Sequence, residues 1–152
     1  MGRIVVGVDG SPGARRALAW AAQEAGLRQA VLQVVHAYHA KELAASLRDH
    51  AEFEQAYRGQ AEEFLEGLLG ELEEPLGGVR VQPTVVADRH PAEALVDLSA
   101  DAELLVVGAR GHGGFGGLLL GSVSHAVVLH AVCPVVVVPS PRDERQTRQP
   151  RQ

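Results

Sequence analysis

Apolar and polar positions along the chain change period in a regular order. Arg3 to Asp9 is almost continuously apolar and rich in Ile and Val, as suits a strand buried on both faces of a parallel sheet. Ser11 then offers an N-cap and Pro12 a first helical residue, and Ala14, Ala17, Leu18, Ala21, Ala22 and Ala25 form one stripe that predicts a helix ending before Gly26. Ala30 to Tyr38 predicts a second strand. Roughly Lys41 to Glu73 predicts a long helix with Phe53, Tyr57, Phe64, Leu68 and Leu72 along one face, weakened in its middle by Gly59. Beyond the loop Glu74 to Gly78, Val79 to Ala87 is a third strand, Pro91 to Ala100 a short helix and Glu103 to Gly108 a fourth strand. A glycine-rich loop runs to Gly121, Ser122 to Ala131 turns helical, and Pro134 to Pro139 is a fifth strand. Strands alternating with helices in this way predict an α/β fold, a five-stranded parallel sheet with right-handed crossovers and helices on both faces.

Residues 1–139 are expected to form a single domain, and residues 140–152 (SPRDERQTRQPRQ), whose only apolar residues are prolines, a disordered tail. Hydrophobic residues make up 46% of the 152 positions and charged ones 22%, ordinary composition for a soluble domain with its own core. Cys133 is the only cysteine, which excludes an intramolecular disulfide and a four-thiolate metal site. The start of the chain lacks the basic region, apolar stretch and cleavage site of an export signal, and the run from Val127 to Val138 is broken by Pro134, so a cytoplasmic protein without a membrane segment is expected.

A formal charge of −5 argues against general nucleic-acid binding, which rests on a basic surface. Lys41 is the only lysine and lies in HAKEL, so neither a Walker A loop nor a kinase strand lysine is present, and a phosphorylated receiver domain lacks its lysine too.

The stretch GARGHGGFGGLLLGS, Gly108 to Ser122, carries the most chemistry. Its six glycines between Gly108 and Gly117 would let backbone amides approach an anion, and Gly121 and Ser122 open a helix whose first N–H groups and dipole add to an anion site. Arg110, His112 and the Ser122 hydroxyl can donate to phosphate; the alternative is a surface loop without a ligand. Gly111-x-Gly113-x-x-Gly116 matches the dinucleotide fingerprint in form only, because it follows the fourth strand, and Val136 stands where the ribose-binding acid would be.

Gly108-x2-Gly111-x9-Gly121-Ser122, together with IVVGVDGSPGARRAL, ELLVVGARG, LLLGSVSHAVV and PVVVVP in that order, resembles the ATP-binding branch of the universal stress proteins from Arg3 to Pro139. The resemblance implies a Rossmann-like fold of the adenine nucleotide α-hydrolase type with strand order 3-2-1-4-5. That order would set Asp9 and Gly108 at one crevice, at the topological switch point. It further implies that Asp9 meets the adenosine and that the backbone at Ala37 lines the adenine pocket. Val107 and Gly108 would approach adenine and ribose. Gly111, Gly121, Ser122, Val123 and Ser124 would hold the phosphates, with Arg110 and His112 nearby. ATP would be the ligand, with magnesium or manganese carried by its phosphates. Asp9 has a second reading, as a local cap in the turn DGSP. Arg89 and His90, where the family often has a glycine before the proline, either lean over the phosphates or are simply solvated.

A protein-only zinc site is not expected: His36 and His39 would point to opposite faces of a strand, and His125 and His130 lie about 140° apart round a helix. The ten acids from Glu42 to Glu74 read as the wet face of the long helix, and the arginines of the tail as solvated charge. Val135 to Val138, at a sheet edge in the proposed order, predicts a homodimer in which the two copies of this strand meet. The expected function is a nucleotide-dependent stress-response regulator with a protein partner whose identity the residues do not reveal. A slow ATPase or a phosphoryl or nucleotidyl transferase using the same pocket, and a nucleotide-free interaction or chaperone-like dimer, are the alternatives.

Overall fold

The computed structural model of the protein describes residues 2–38, 50–72, 77–87, 89–110 and 120–140, apart from the side chains of residues 50, 51 and 53. The elements follow in the order β1 (Arg3–Gly7), α1 (Pro12–Arg28), β2 (Val31–Tyr38), α2 (His50–Gly70), β3 (Val81–Ala87), α3 (Pro91–Ser99), β4 (Leu104–Gly108), α4 (Ser122–His130) and β5 (Val135–Val138). The strands form a five-stranded sheet in the order β3-β2-β1-β4-β5, and every neighbouring pair is parallel. Residues 41–49 and 73 of the expected long helix, and the tail from residue 141, lie outside the described residues.

Both faces of the central strands are buried, which is why their sequences read as unbroken apolar runs. On one face Ile4, Val6, Leu32, Val34, Leu104 and Val106 pack against the alanine stripe of α1 and against Leu65 and Leu68 of α2. On the other, Val5, Val35, Leu105 and Val107 pack against Ala92 and Leu95 of α3 and Val127 of α4. The small alanine side chains let α1 lie close to the sheet. Leu65, 1% exposed, is the deepest anchor among the described residues of α2 and falls between the positions its periodicity marks.

The helix ends obey local chemistry with two departures. The Ser11 hydroxyl accepts the Ala14 N–H (3.2 Å) and Pro12 opens α1, as its sequence predicts. The far end of α1 does not stop at Gly26. It runs to Arg28, and Gln29 takes the left-handed conformation (φ 54°) while the Ala30 N–H returns to the Ala25 carbonyl (3.0 Å) and the Gln29 N–H to Gly26 (3.4 Å). This pairing of bonds closes the helix without the customary glycine in the turn. The second departure is at α3, whose N-cap is His90: its Nδ1 accepts the Ala92 N–H (3.2 Å). Arg89 pairs with Asp97 on the same helix. Both side chains are exposed, in keeping with the solvated reading, and both also make contacts on α3.

Candidate functional site

The sheet order places the carboxyl ends of β1 and β4 side by side, in register from Ile4↔Leu104 to Val6↔Val106. The chain leaves β1 toward α1 on one face and β4 toward α4 on the other, so a crevice opens between them at the switch point. Its walls are the β1–α1 turn, the exit of β4 and the start of α4, with the end of β2 beside β1.

The β1–α1 turn is closed by its own side chains. Asp9 Oδ1 accepts the Ser11 N–H (3.0 Å), Gly10 takes φ 82°, and the Arg15 guanidinium donates to the Gly10 carbonyl (2.6 Å). Arg15 also reaches Glu71 just beyond α2 (2.8 Å), and that bond, with the attraction between the charges, holds the guanidinium still more firmly protonated. One Asp9 oxygen thus bonds a backbone amide within the turn, while the cap of α1 is Ser11.

The exit of β4 is tied to the start of α4. The Ala109 N–H continues the sheet to the Val138 carbonyl (2.8 Å), and the Ala109 carbonyl receives the Gly121 N–H (2.6 Å) and the Ser124 hydroxyl (2.9 Å). The two ends of the glycine-rich segment are therefore bonded to each other. Helix α4 begins on Gly121 in extended conformation (φ −68°, ψ 167°) with no side-chain cap, whereas α1 and α3 are capped by Ser11 and His90. Its first turn keeps the character of an anion-binding helix end.

Of the expected site residues, Asp9, Gly108, Arg110, Gly121, Ser122 and Val123 are placed at these walls, Ser122 exposed and the others partly so. Val107 is 3% exposed and its side chain belongs to the core under α3 and α4, so only its backbone could meet a ligand. Ser124, also 3% exposed, spends its proton on the Ala109 or Gly121 carbonyl and pins the loop instead of displaying a hydroxyl. Gly111 and His112 lie outside the described residues.

Ala37 stands on the other side of β1. The Val8 N–H bonds the Val35 carbonyl (2.9 Å), so the alternation of the ladder turns the N–H and C=O of Val35 and Ala37 toward β1, which ends at Gly7. His36, between them, points its Nδ1 at the Val8 carbonyl (3.0 Å). In the sequence His36 stands out only as a candidate metal ligand. Its meeting with Val8 follows from the register after Gly7↔Val35, which no local pattern in the sequence signals.

Among the described residues no group of His, Cys, Asp or Glu side chains is arranged to hold a metal ion, and no helix is long and apolar enough to cross a membrane. Burial pushes the Cys133 thiol above its ordinary pKa.

The sequence profile of the universal stress protein family matches residues 1–139. The chain belongs to the universal stress protein family. Universal stress protein Rv2005c of Mycobacterium tuberculosis is 42% identical over 134 residues, which are 88% of this chain and 44% of that protein. The chain thus spans about half the length of the curated relatives it matches. A universal stress protein solved in complex with cAMP superposes with a TM-score of 0.60 at 29% identity, over 91% of this chain and 97% of that one. The universal stress protein from Archaeoglobus fulgidus in complex with dAMP gives 0.61 at 26% identity, over 91% and 98%. The parallel sheet in the order 3-2-1-4-5 is the architecture expected of a universal stress protein, and the glycine-rich signature falls where that architecture opens its crevice.

Proposed function

We propose that this universal stress protein domain binds ATP in the crevice between β1 and β4 and acts as a nucleotide-dependent regulator. The observation that carries the reading is the start of α4: a helix that opens on an uncapped glycine, bonded to the exit of β4, after a glycine-rich stretch of sequence. Such an end attracts an anion through its free N–H groups and its dipole. Backbone N–H groups of Ser122 and Val123, with the Ser122 hydroxyl and Arg110, supply donors for phosphates; the Gly121 N–H is given to the Ala109 carbonyl, so Gly121 serves by its lack of a side chain, and Gly111 and His112 lie between Arg110 and Gly121 in the sequence. The base has a counterpart in Ala37, whose N–H and C=O face the end of β1 and match the adjacent acceptor and donor of an adenine edge. Nucleotide complexes of relatives, with cAMP and dAMP, support an adenine nucleotide as the ligand class. Magnesium or manganese would arrive on the phosphates and draw its remaining ligands from water.

The domain is also suited to pair with a second copy through β5. The carbonyls of Pro134 and Val138 accept from Leu105 and Ala109, so alternation directs the N–H and C=O of Val135 and Val137 outward. In an antiparallel pair centred on Val136, Val135 of each copy would exchange both backbone bonds with Val137 of the other. The opposite edge is blunted by Pro83, which stands in mid-strand on β3 and has no N–H to offer. Val128, Leu129 and Val132, exposed shortly before β5, add apolar surface.

The test is to denature gently purified protein, identify any released nucleotide by chromatography, and titrate the stripped protein with ATP-Mg, AMP and GTP by calorimetry. Micromolar ATP affinity that Gly121→Asp removes is the expected result. No nucleotide and no binding at millimolar ATP would overturn the reading and leave dimer-mediated interaction as the leading function.

A further inference from the structure

The exit of β1 is held by a side chain at the point where a parallel ladder would use backbone. The Val8 N–H bonds the Val35 carbonyl (2.9 Å), and one regular rung further the Val8 carbonyl would accept from the N–H of Ala37. The structure gives that carbonyl to His36 instead, at 3.0 Å from Nδ1. A carbonyl only accepts, so Nδ1 carries the proton in this contact. The ring is steadied from the other side by Phe64 of α2, with centroids 4.6 Å apart and planes tilted by 45°. Backbone at Val8 is thus fixed by β2 through its N–H and through a side chain, immediately before Asp9.

We propose that His36 is a positioning residue that sets the base selectivity of the crevice, an inference that rests on the nucleotide reading above. By occupying the Val8 carbonyl it keeps the Ala37 N–H available to donate to a ring nitrogen of adenine while the Ala37 C=O accepts from the amino group. Guanine presents a ring N–H and a carbonyl in the reverse order, setting donor against donor and acceptor against acceptor. Polar groups left unmatched in a desolvated site are what a binding site discriminates on most strongly. An apolar side chain at position 36 would release the Val8 carbonyl to the Ala37 N–H, extend the ladder by one rung and close the donor.

The proposal is tested with His36→Phe, which keeps an aromatic ring against Phe64 but has no donor, and His36→Asn, whose side-chain amide can donate from near the position of Nδ1. Calorimetry with ATP and GTP should show His36→Phe losing about tenfold in ATP affinity and a similar factor in the ATP-to-GTP ratio, with His36→Asn restoring much of both. A stability defect alone would not move the ratio. Amide exchange at Ala37 in the nucleotide-free wild type provides a readout that needs no variant: rapid exchange, slowed by ATP, is expected, and a protected Ala37 amide without nucleotide would overturn the proposal. If the wild type binds ATP and His36→Phe binds it equally with the same ratio, the role of His36 is refuted while the nucleotide site stands. If the wild type binds no ATP, the site reading fails and this inference fails with it.

Discussion

Gly108 at the end of β4 and Gly13 in the first turn of α1 touch backbone to backbone: a Cβ at Gly108 would lie 2.8 Å from the Gly13 carbonyl carbon and 2.9 Å from its oxygen. Gly13 has the same relation to the carbonyl of Arg110, 3.0 Å from where its own Cβ would be. The first glycine of the family signature therefore seats a helix as well as bordering a crevice. Because the obstructing atoms are backbone, they have little freedom to give way. Gly108→Ala is expected to destabilise the domain by about 1–3 kcal/mol, measured by urea denaturation. Unchanged stability would show that α1 can shift at no cost.

Gly121 separates binding from stability. Its extended conformation suits any residue, and aspartate is a strong N-cap, so Gly121→Asp should stabilise α4 by a few tenths of a kcal/mol while its charge repels phosphate. A melting temperature that holds or rises slightly, together with lost ATP binding, is the expected pair of results. Lost binding with a collapsed fold would remove the support this variant gives to the phosphate site.

Pairing through β5 predicts the effect of Val137→Pro. The N–H of Val137 points away from β4, so proline deletes an outward donor and spares the internal ladder. Sedimentation should show a dimer for the wild type and a folded monomer for the variant. A dimer of unchanged affinity would place the interface elsewhere.

Two surface positions carry backbone costs that substitution can remove. Gln29 is in the left-handed region, so Gln29→Gly should raise stability by about 0.5–1 kcal/mol. Gly59 lies inside α2, with nothing within 4 Å of a Cβ built on it, and Gly59→Ala should add about 1 kcal/mol. Chemical denaturation checks both, and their separation on different helices predicts additive effects.

Cys133 offers a pH test. Burial disfavours the thiolate and raises the folded-state pKa. Its contribution to stability is therefore complete below the pKa of the unfolded thiol and is lost as pH rises through the higher, folded value. Alkylation by iodoacetamide at pH 8 should be slower in the native protein than in urea, and the gap should narrow at higher pH. Equal rates at pH 8 would contradict a protected thiol.

What the amino-acid order determined by itself is the part that depends on neighbours a few residues apart. Apolar runs, the alanine stripe and the Ser11-Pro12 start fix strands and helices because burial period and capping are local, and their alternation leads to a parallel sheet. The signature from Gly108 to Ser122 and the resemblance to universal stress proteins were legible for the same reason. Tertiary structure decided which of those residues have other duties. His36 meets Val8 across 28 positions, Val132 is held by Ser99 across 33, and Gly108 meets Gly13 only because β4 lies beside β1. His90 became a cap because it stands immediately before Pro91, in the N-cap position, and Ser124 turned inward because Ala109 offers a carbonyl beneath it. These contacts follow from strand order and close packing, which bring together groups that no local period connects.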